Sequence, residues 1–178
     1  SLREVLATAP AHAPALHLLG VMALERGAAA EALARFDAAL FGAPALAPLH
    51  YNRGNALSAL GRLDDAHAAY WRAVQLDPNL AEAHFNLGNV ARGLGRAAEA
   101  EAAYAEAARL RPDLAQAWLR IGMLQSAQGR WAEAEASFGR ALERDEGLFD
   151  AWNRRGVALH MGDGLVETAH GREKVAVP

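Results

Sequence analysis

Four prolines, Pro10, Pro44, Pro78 and Pro112, stand 34 residues apart, and five glycines, Gly20, Gly54, Gly88, Gly122 and Gly156, keep the same interval. A fixed period of this size marks a stack of like supersecondary units, because one unit cannot bury its apolar side without a neighbour. Further columns share the phase: Gly27, Gly61, Gly95 and Gly129; Ala32, Ala66, Ala100 and Ala134; Ala39, Ala73, Ala107 and Ala141. An aromatic column, Phe36, Tyr70, Tyr104 and Phe138, completes the set. With a unit begun at Ala13, these columns fall at places 8, 15, 20, 24, 27 and 32.

Each column has a physical reason. The spacing predicts two helices per unit, each about fourteen residues, as in AEAHFNLGNVARGL (helix A) and AAEAEAAYAEAARL (helix B). About a quarter of the chain is Ala, the strongest helix former. Glycine at place 15 stands where helix A must stop and a left-handed residue closes it. Proline at place 32 cannot continue helix B and turns its predecessor away from helical backbone. Small residues at places 8, 20 and 27 bring helices close, and the aromatic of helix B fills the space they leave.

The pattern resembles the tetratricopeptide repeat, W-x2-L-G-x2-Y, then A-x3-F, then A, then P. Residues 13–46, 47–80, 81–114 and 115–148 are complete units, and 1–12 resemble the second half of an earlier one ending at Pro10. Residues 149–161 supply the first helix of a fifth unit, with Trp152 and Gly156 in place. Beyond it the pattern fades: Asp163 stands where the place-15 glycine is due and Arg172 where an aromatic is due, so 162–178 is expected to be an irregular or capping tail. A chain that opens inside a repeat is expected to be a piece of a longer polypeptide. The resemblance implies an all-α, right-handed superhelical solenoid of antiparallel helix pairs.

Chemistry is harder to find. There is no cysteine, which removes disulfides and thiolate metal sites. A net charge of -3 with pI near 6.2 provides no basic field for nucleic acid. No apolar run approaches membrane-spanning length, and a cytoplasmic setting is the expectation. Of the seven histidines, His50 and His84 share place 4 with Trp118 and Trp152, which marks packing rather than metal ligation. The GLGR stretch at 93–96 lacks the strand and the Lys-Ser/Thr pair of a phosphate loop. Paired acids, Asp64 with Asp65 and Glu99 with Glu101, fall on the first turns of helix B, where solvated negative charge suits the helix dipole. No nucleophile is set beside a base, so the chain is read as non-enzymatic and without a cofactor.

Function is therefore sought on a surface. In tetratricopeptide proteins the A helices line a concave groove, and the resemblance implies that places 2, 5, 6, 9 and 12 face it. On this chain that set includes His17 and Val21; Tyr51, Asn52, Asn55 and Ser58; Phe85, Asn86, Asn89 and Arg92. It continues with Leu119, Arg120, Met123 and Ser126, then Asn153, Arg154, Val157 and His160. An asparagine amide both donates and accepts, so Asn52 and Asn86, one per unit, suit a peptide backbone. YNRGN and FNLGN look like the repeats of O-linked N-acetylglucosamine transferases and their bacterial relatives, where an asparagine ladder grips polypeptide substrates. A carboxylate clamp for acidic C-termini would use Asn55, Asn86 and Arg120, but Tyr51 and Gln116 stand where its lysines belong. The expected partner is a protein or peptide segment, with Arg120 and Arg154 favouring an acidic one. Two alternatives remain open: the substrate-recruiting arm of a larger enzyme such as a glycosyltransferase, and a scaffold that self-associates through exposed repeat ends.

Overall fold

In a computed structural model of the chain, residues 12–169 are described, with side chains as far as residue 162. Among the described residues there are nine helices and no strand: α1 Ala13–Glu25, α2 Ala29–Gly42, α3 Ala47–Ala59, α4 Leu63–Leu76, α5 Ala81–Gly93, α6 Ala97–Leu110, α7 Ala115–Ala127, α8 Trp131–Arg144 and α9 Phe149–Ala169. Odd-numbered helices are the A helices of the repeat and even-numbered ones the B helices. They fall into two compact units, residues 1–110 with α1 to α6 and residues 111–178 with α7 to α9.

Every A helix in the complete repeats stops in the same way. Gly27, Gly61, Gly95 and Gly129 have φ between 71° and 75°, the left-handed region. Around them the closing bonds repeat: in the third repeat Gly95 N–H donates to Arg92 O at 3.0 Å and Arg96 N–H to Ala91 O at 2.8 Å. This paired closure satisfies carbonyls that the helix end would otherwise leave bare. Place 15 of the last repeat holds Asp163, which has no such conformational freedom, and α9 runs on to Ala169. The first helix of the fifth unit thus extends past the expected boundary at 161, although Gly162 and Gly164 flank that place. The expected truncated repeat at 1–12, except His12, and the tail beyond 169 lie outside the described residues.

Each hairpin closes over the glycine of place 8. A Cβ at Gly54 would lie 2.6 Å from Tyr70 Cε1, one at Gly88 2.7 Å from Tyr104 Cδ1, and one at Gly122 2.6 Å from Phe138 Cε1; Gly20 meets Phe36 in the same manner. Those aromatics are fully buried, as are the alanines of places 20 and 27. In the first unit Phe36, Tyr70, Leu49 and Leu57 centre one core. The second unit packs Phe138, Ala134, Ala141 and Leu142 around a core of its own.

The acids at the start of helix B do more than face water. Asp65 pairs with Arg62 at 2.7 Å, Asp64 with Arg96 at 3.2 Å, and Glu99 Oε1 lies 2.5 Å from His67 Nε2. Arginine recurs at place 16, as Arg62, Arg96 and Arg130. From there Arg62, Arg96 and Arg130 reach Asp65, Glu99 and Glu133 on the helix each precedes, and Arg96 also reaches Asp64 of the repeat before, a role the expectation of solvated charge did not include.

Candidate functional site

The rings of place 4 are latches. His50 Nε2 donates to the Pro44 carbonyl at 2.8 Å, His84 Nε2 to Pro78 at 3.0 Å, and Trp152 Nε1 to the Glu146 carbonyl at 3.0 Å. Each ring ties helix A to the turn six residues before it. The fourth member departs from this: Arg144 Nε takes the Pro112 carbonyl at 2.7 Å, and the Trp118 ring lies under the Arg140 guanidinium, 4.6 Å from its centroid. Trp118 Nε1 is left buried without a hydrogen-bond partner among the described residues. These histidines are structural, and no group of three or more His, Asp or Glu able to hold a metal occurs among the described residues.

The A helices of the first unit bring the expected amides together. Asn52 Nδ2 lies 2.7 Å from His17 Nε2, Asn55 Nδ2 donates to Asn52 Oδ1 at 3.4 Å, and Asn86 Nδ2 donates to Asn55 Oδ1 at 3.0 Å. The Tyr70 hydroxyl donates to Asn55 Oδ1 at 2.7 Å, and the Tyr104 hydroxyl to Asn89 Oδ1 at 2.8 Å. Burial, with Tyr51 beside it, pushes the Tyr70 phenol far above its ordinary range, and the nearby Asn86 and Ser58 oppose this only in part. It therefore remains a neutral donor. Asn55, Ser58, Ala59, Tyr70, Asn86 and Asn89 line an open cavity of about 350 Å³.

Place 5 is an aromatic shelf beneath this row. Tyr51 meets Tyr70 at 6.0 Å, Phe85 meets Tyr104 at 5.5 Å, and His17 meets Phe36 edge-on at 6.0 Å. The same place in the fourth repeat is Leu119, expected on the binding face but only 4% exposed and packed in the core of the second unit. A leucine on Phe138 follows the apolar floor downward, whereas the larger rings reach the surface. Leu119 offers a ligand almost no side-chain area.

The remaining candidates differ in how free they are. Arg92 is exposed and has no hydrogen bond or ion pair with other described residues. In the second unit, Arg120 Nη1 points at Met123 Sδ at 3.9 Å, and Arg120 Nε is buried without a hydrogen-bond partner among the described residues. Arg154 is held by Asp150 at 2.8 Å. Asn153 and Arg154 line a smaller cavity of about 170 Å³ with Ser126, Trp131 and Val157. Trp131 was not foreseen on this face.

Sequence reading also missed the tyrosine hydroxyls, though a signal for them exists. Where place 9 is asparagine (Asn55, Asn89), place 24 is tyrosine; where it is Val21 or Met123, place 24 is Phe36 or Phe138. The hydroxyl occurs only where an amide waits for it.

Comparison with known proteins agrees with this geometry. A family model described as TPR repeat matches residues 54–95, and one described as Tetratricopeptide repeat matches 79–147; together they run over more than half of the chain. No curated protein matches the chain in sequence. Among solved structures, MamA is 26% identical with a TM-score of 0.79, over 82% of this chain and 85% of that one. YrrB, described as a TPR protein with an unusual peptide-binding site, is 21% identical with a TM-score of 0.82, over 92% of this chain and 84% of that one. The first TPR of Spaghetti (RPAP3), solved bound to the HSP90 peptide SRMEEVD, is 24% identical with a TM-score of 0.60, over 68% of this chain and 94% of that one. At these identities the last two share the fold alone. Phased columns, glycine-closed A helices, aromatics seated on place-8 glycines and the matching family models make one conclusion: the chain belongs to the tetratricopeptide repeat family.

Proposed function

We propose that the A-helix face of the first unit holds an extended polypeptide segment of a partner protein. The carrying observation is the amide-lined cavity, whose side chains are fixed by bonds to one another yet retain unused capacity. Asn86 Oδ1 and Asn89 Nδ2 have no partner among the described residues, one an acceptor and the other a donor, the complement of a peptide group. Neighbouring helices lie roughly 8 to 10 Å apart, about the length of three extended residues. Asn86 and Asn89 stand three residues apart on one face of α5, so a backbone crossing the row there meets an acceptor and a donor together, without its side chains being read. YrrB and the RPAP3 repeat, which share the fold, have peptide sites.

On this reading the module is an adaptor, or the recruiting arm of a larger polypeptide, as the likeness to glycosyltransferase repeats suggests. The test is the double substitution Asn86→Ala, Asn89→Ala, with helicity followed by circular dichroism and affinity measured on a peptide array. A loss of about tenfold or more, equivalent to about 1.4 kcal/mol, with unchanged helicity is expected. Unchanged affinity in the folded variant removes the reading.

Self-association has an observation of its own. Phe149, Trp152, Val157, Leu159 and Met161 of α9 are all exposed, and a Cβ at Gly156 would meet nothing within 4 Å among the described residues, where the other place-8 glycines meet a ring. Light scattering over a concentration series decides it: a constant monomer mass dismisses the reading.

A further inference from the structure

The amide row has a direction. An amide nitrogen only donates, so the 2.7 Å approach of Asn52 Nδ2 requires a lone pair on His17 Nε2 and places the ring proton on Nδ1. With its nitrogen so committed, Asn52 turns Oδ1 to Asn55, which turns its own Oδ1 to Asn86. Both acceptor positions of Asn55 Oδ1 are filled, by Asn86 Nδ2 and by the Tyr70 hydroxyl. The two hydrogens of Asn86 Nδ2 point to Asn55 Oδ1 and to the Tyr51 hydroxyl at 3.5 Å. What Asn86 offers the cavity is therefore its oxygen alone.

We infer that His17 is a positioning residue that sets the hydrogen-bond polarity of the whole row, so that the first repeat decides whether Asn86 presents an acceptor or a donor. With an unprotonated Nε2, a bound backbone places an N–H at Asn86. A proton on Nε2 makes it a donor, and Asn52 must then turn its oxygen toward the ring. Half a turn about the last torsion of an asparagine exchanges oxygen and nitrogen with almost no change of shape. Asn55 follows, because its nitrogen would otherwise face another nitrogen, and the Tyr70 hydroxyl accommodates it by accepting instead of donating. Asn86 then turns its amide N–H groups to the cavity and asks for a carbonyl, so the ligand must shift along its backbone or leave.

Among the described residues, the surroundings of His17 leave this switch to the ring itself. From α2, Phe36 packs edge-on against it, while Glu31 is paired with Arg26 and Arg35, and Asp37 with Arg53. From α3, His50 is bound to the Pro44 carbonyl and Arg53 to Asp37, which leaves the uncharged Asn52 amide as the group in contact. Among the described residues burial alone bears on the ring, and it lowers the pKa.

The inference rests on the peptide reading for its consequence, but its test needs no ligand. The full chain, labelled with 15N, is titrated by NMR from about pH 8 to about pH 5, following the His17 ring nitrogens and the side-chain amides of Asn52, Asn55 and Asn86. The Nδ1–H tautomer is expected at the alkaline end, and on acidification all three amides should shift with the midpoint of His17. An Nε2–H tautomer at the alkaline end, or a response confined to Asn52, overturns the inference. His17→Gln keeps an acceptor that does not titrate; its three amides should hold their alkaline positions throughout. If that variant does not fold, the titration of the unaltered chain decides by itself. A flat peptide array beside a concerted titration would remove the ligand reading and leave the relay standing, and the reverse result would do the opposite.

Discussion

Tyr70 joins the core to the amide-lined cavity. Its ring fills the space over Gly54, and its hydroxyl fixes Asn55 at the base of the cavity. Tyr70→Phe keeps the ring and removes one donor, so a urea titration should show a loss of about 1 kcal/mol, and Tyr104→Phe about the same. His17 supplies a second test at this scale. Its folded pKa lies below the reference 6.5, so the folded state binds the proton less readily than the unfolded one. Stability is then fully present above the unfolded value and is lost as pH falls through the folded one. Urea midpoints of the unaltered chain and His17→Gln should keep a constant offset above about pH 7 and diverge below it, with the unaltered chain losing more. The asparagines and their positions were legible in the sequence; their partners were not. A row of amides reads the same whether it faces solvent or is linked end to end, and the linkage depends on half-turns of side chains that leave no mark on spacing.

Glycine at place 8 has opposite worth in different helices. In α5, Gly88→Ala gains helix propensity of about 1 kcal/mol but sets a methyl 2.7 Å from two carbons of the buried Tyr104 ring. Overpacking of about 1 to 3 kcal/mol wins, because the ring has no room to withdraw. In α9, Gly156→Ala meets nothing within 4 Å among the described residues, so the propensity gain of up to about 1 kcal/mol should stand. Thermal denaturation of the two variants should move in opposite directions. Helices, stops and the glycine-aromatic contact were readable because each is fixed by local geometry recurring four times. The length of α9 was misread for a related reason. Fading of the columns was taken as loss of helix, when what had changed was the register of the glycines, Gly162 and Gly164 in place of one at 163, and the helix continues through both.

Charge is sorted between the two sets of helices. The A helices α1, α3, α5 and α7 carry two acidic residues against three arginines. The B helices α2, α4, α6 and α8 carry ten acidic residues against five arginines. A net charge of -3 hides this division, which holds within each unit and leaves its A helices less repulsive to negative charge than its B helices. Arg92→Glu should weaken acidic array peptides more than neutral ones, and the difference should shrink as salt shortens the screening length to about 3 Å at 1 M. The sorting could have been read from the repeat phase, whereas Leu119 sinking into the core could not, since place 5 admits both a floor and a shelf and side-chain size decides between them. The place-4 rings carry a different lesson. An imidazole in two repeats and an indole in another perform one task, fastening a linker by a single ring N–H, and in the fourth repeat Arg144 does it beside Trp118, so in these four the joint is defined by a bond donor and not by one amino acid. Anyone splicing repeats of this kind is free to interchange the two rings there, and should expect a phenyl group to leave the joint unbuckled.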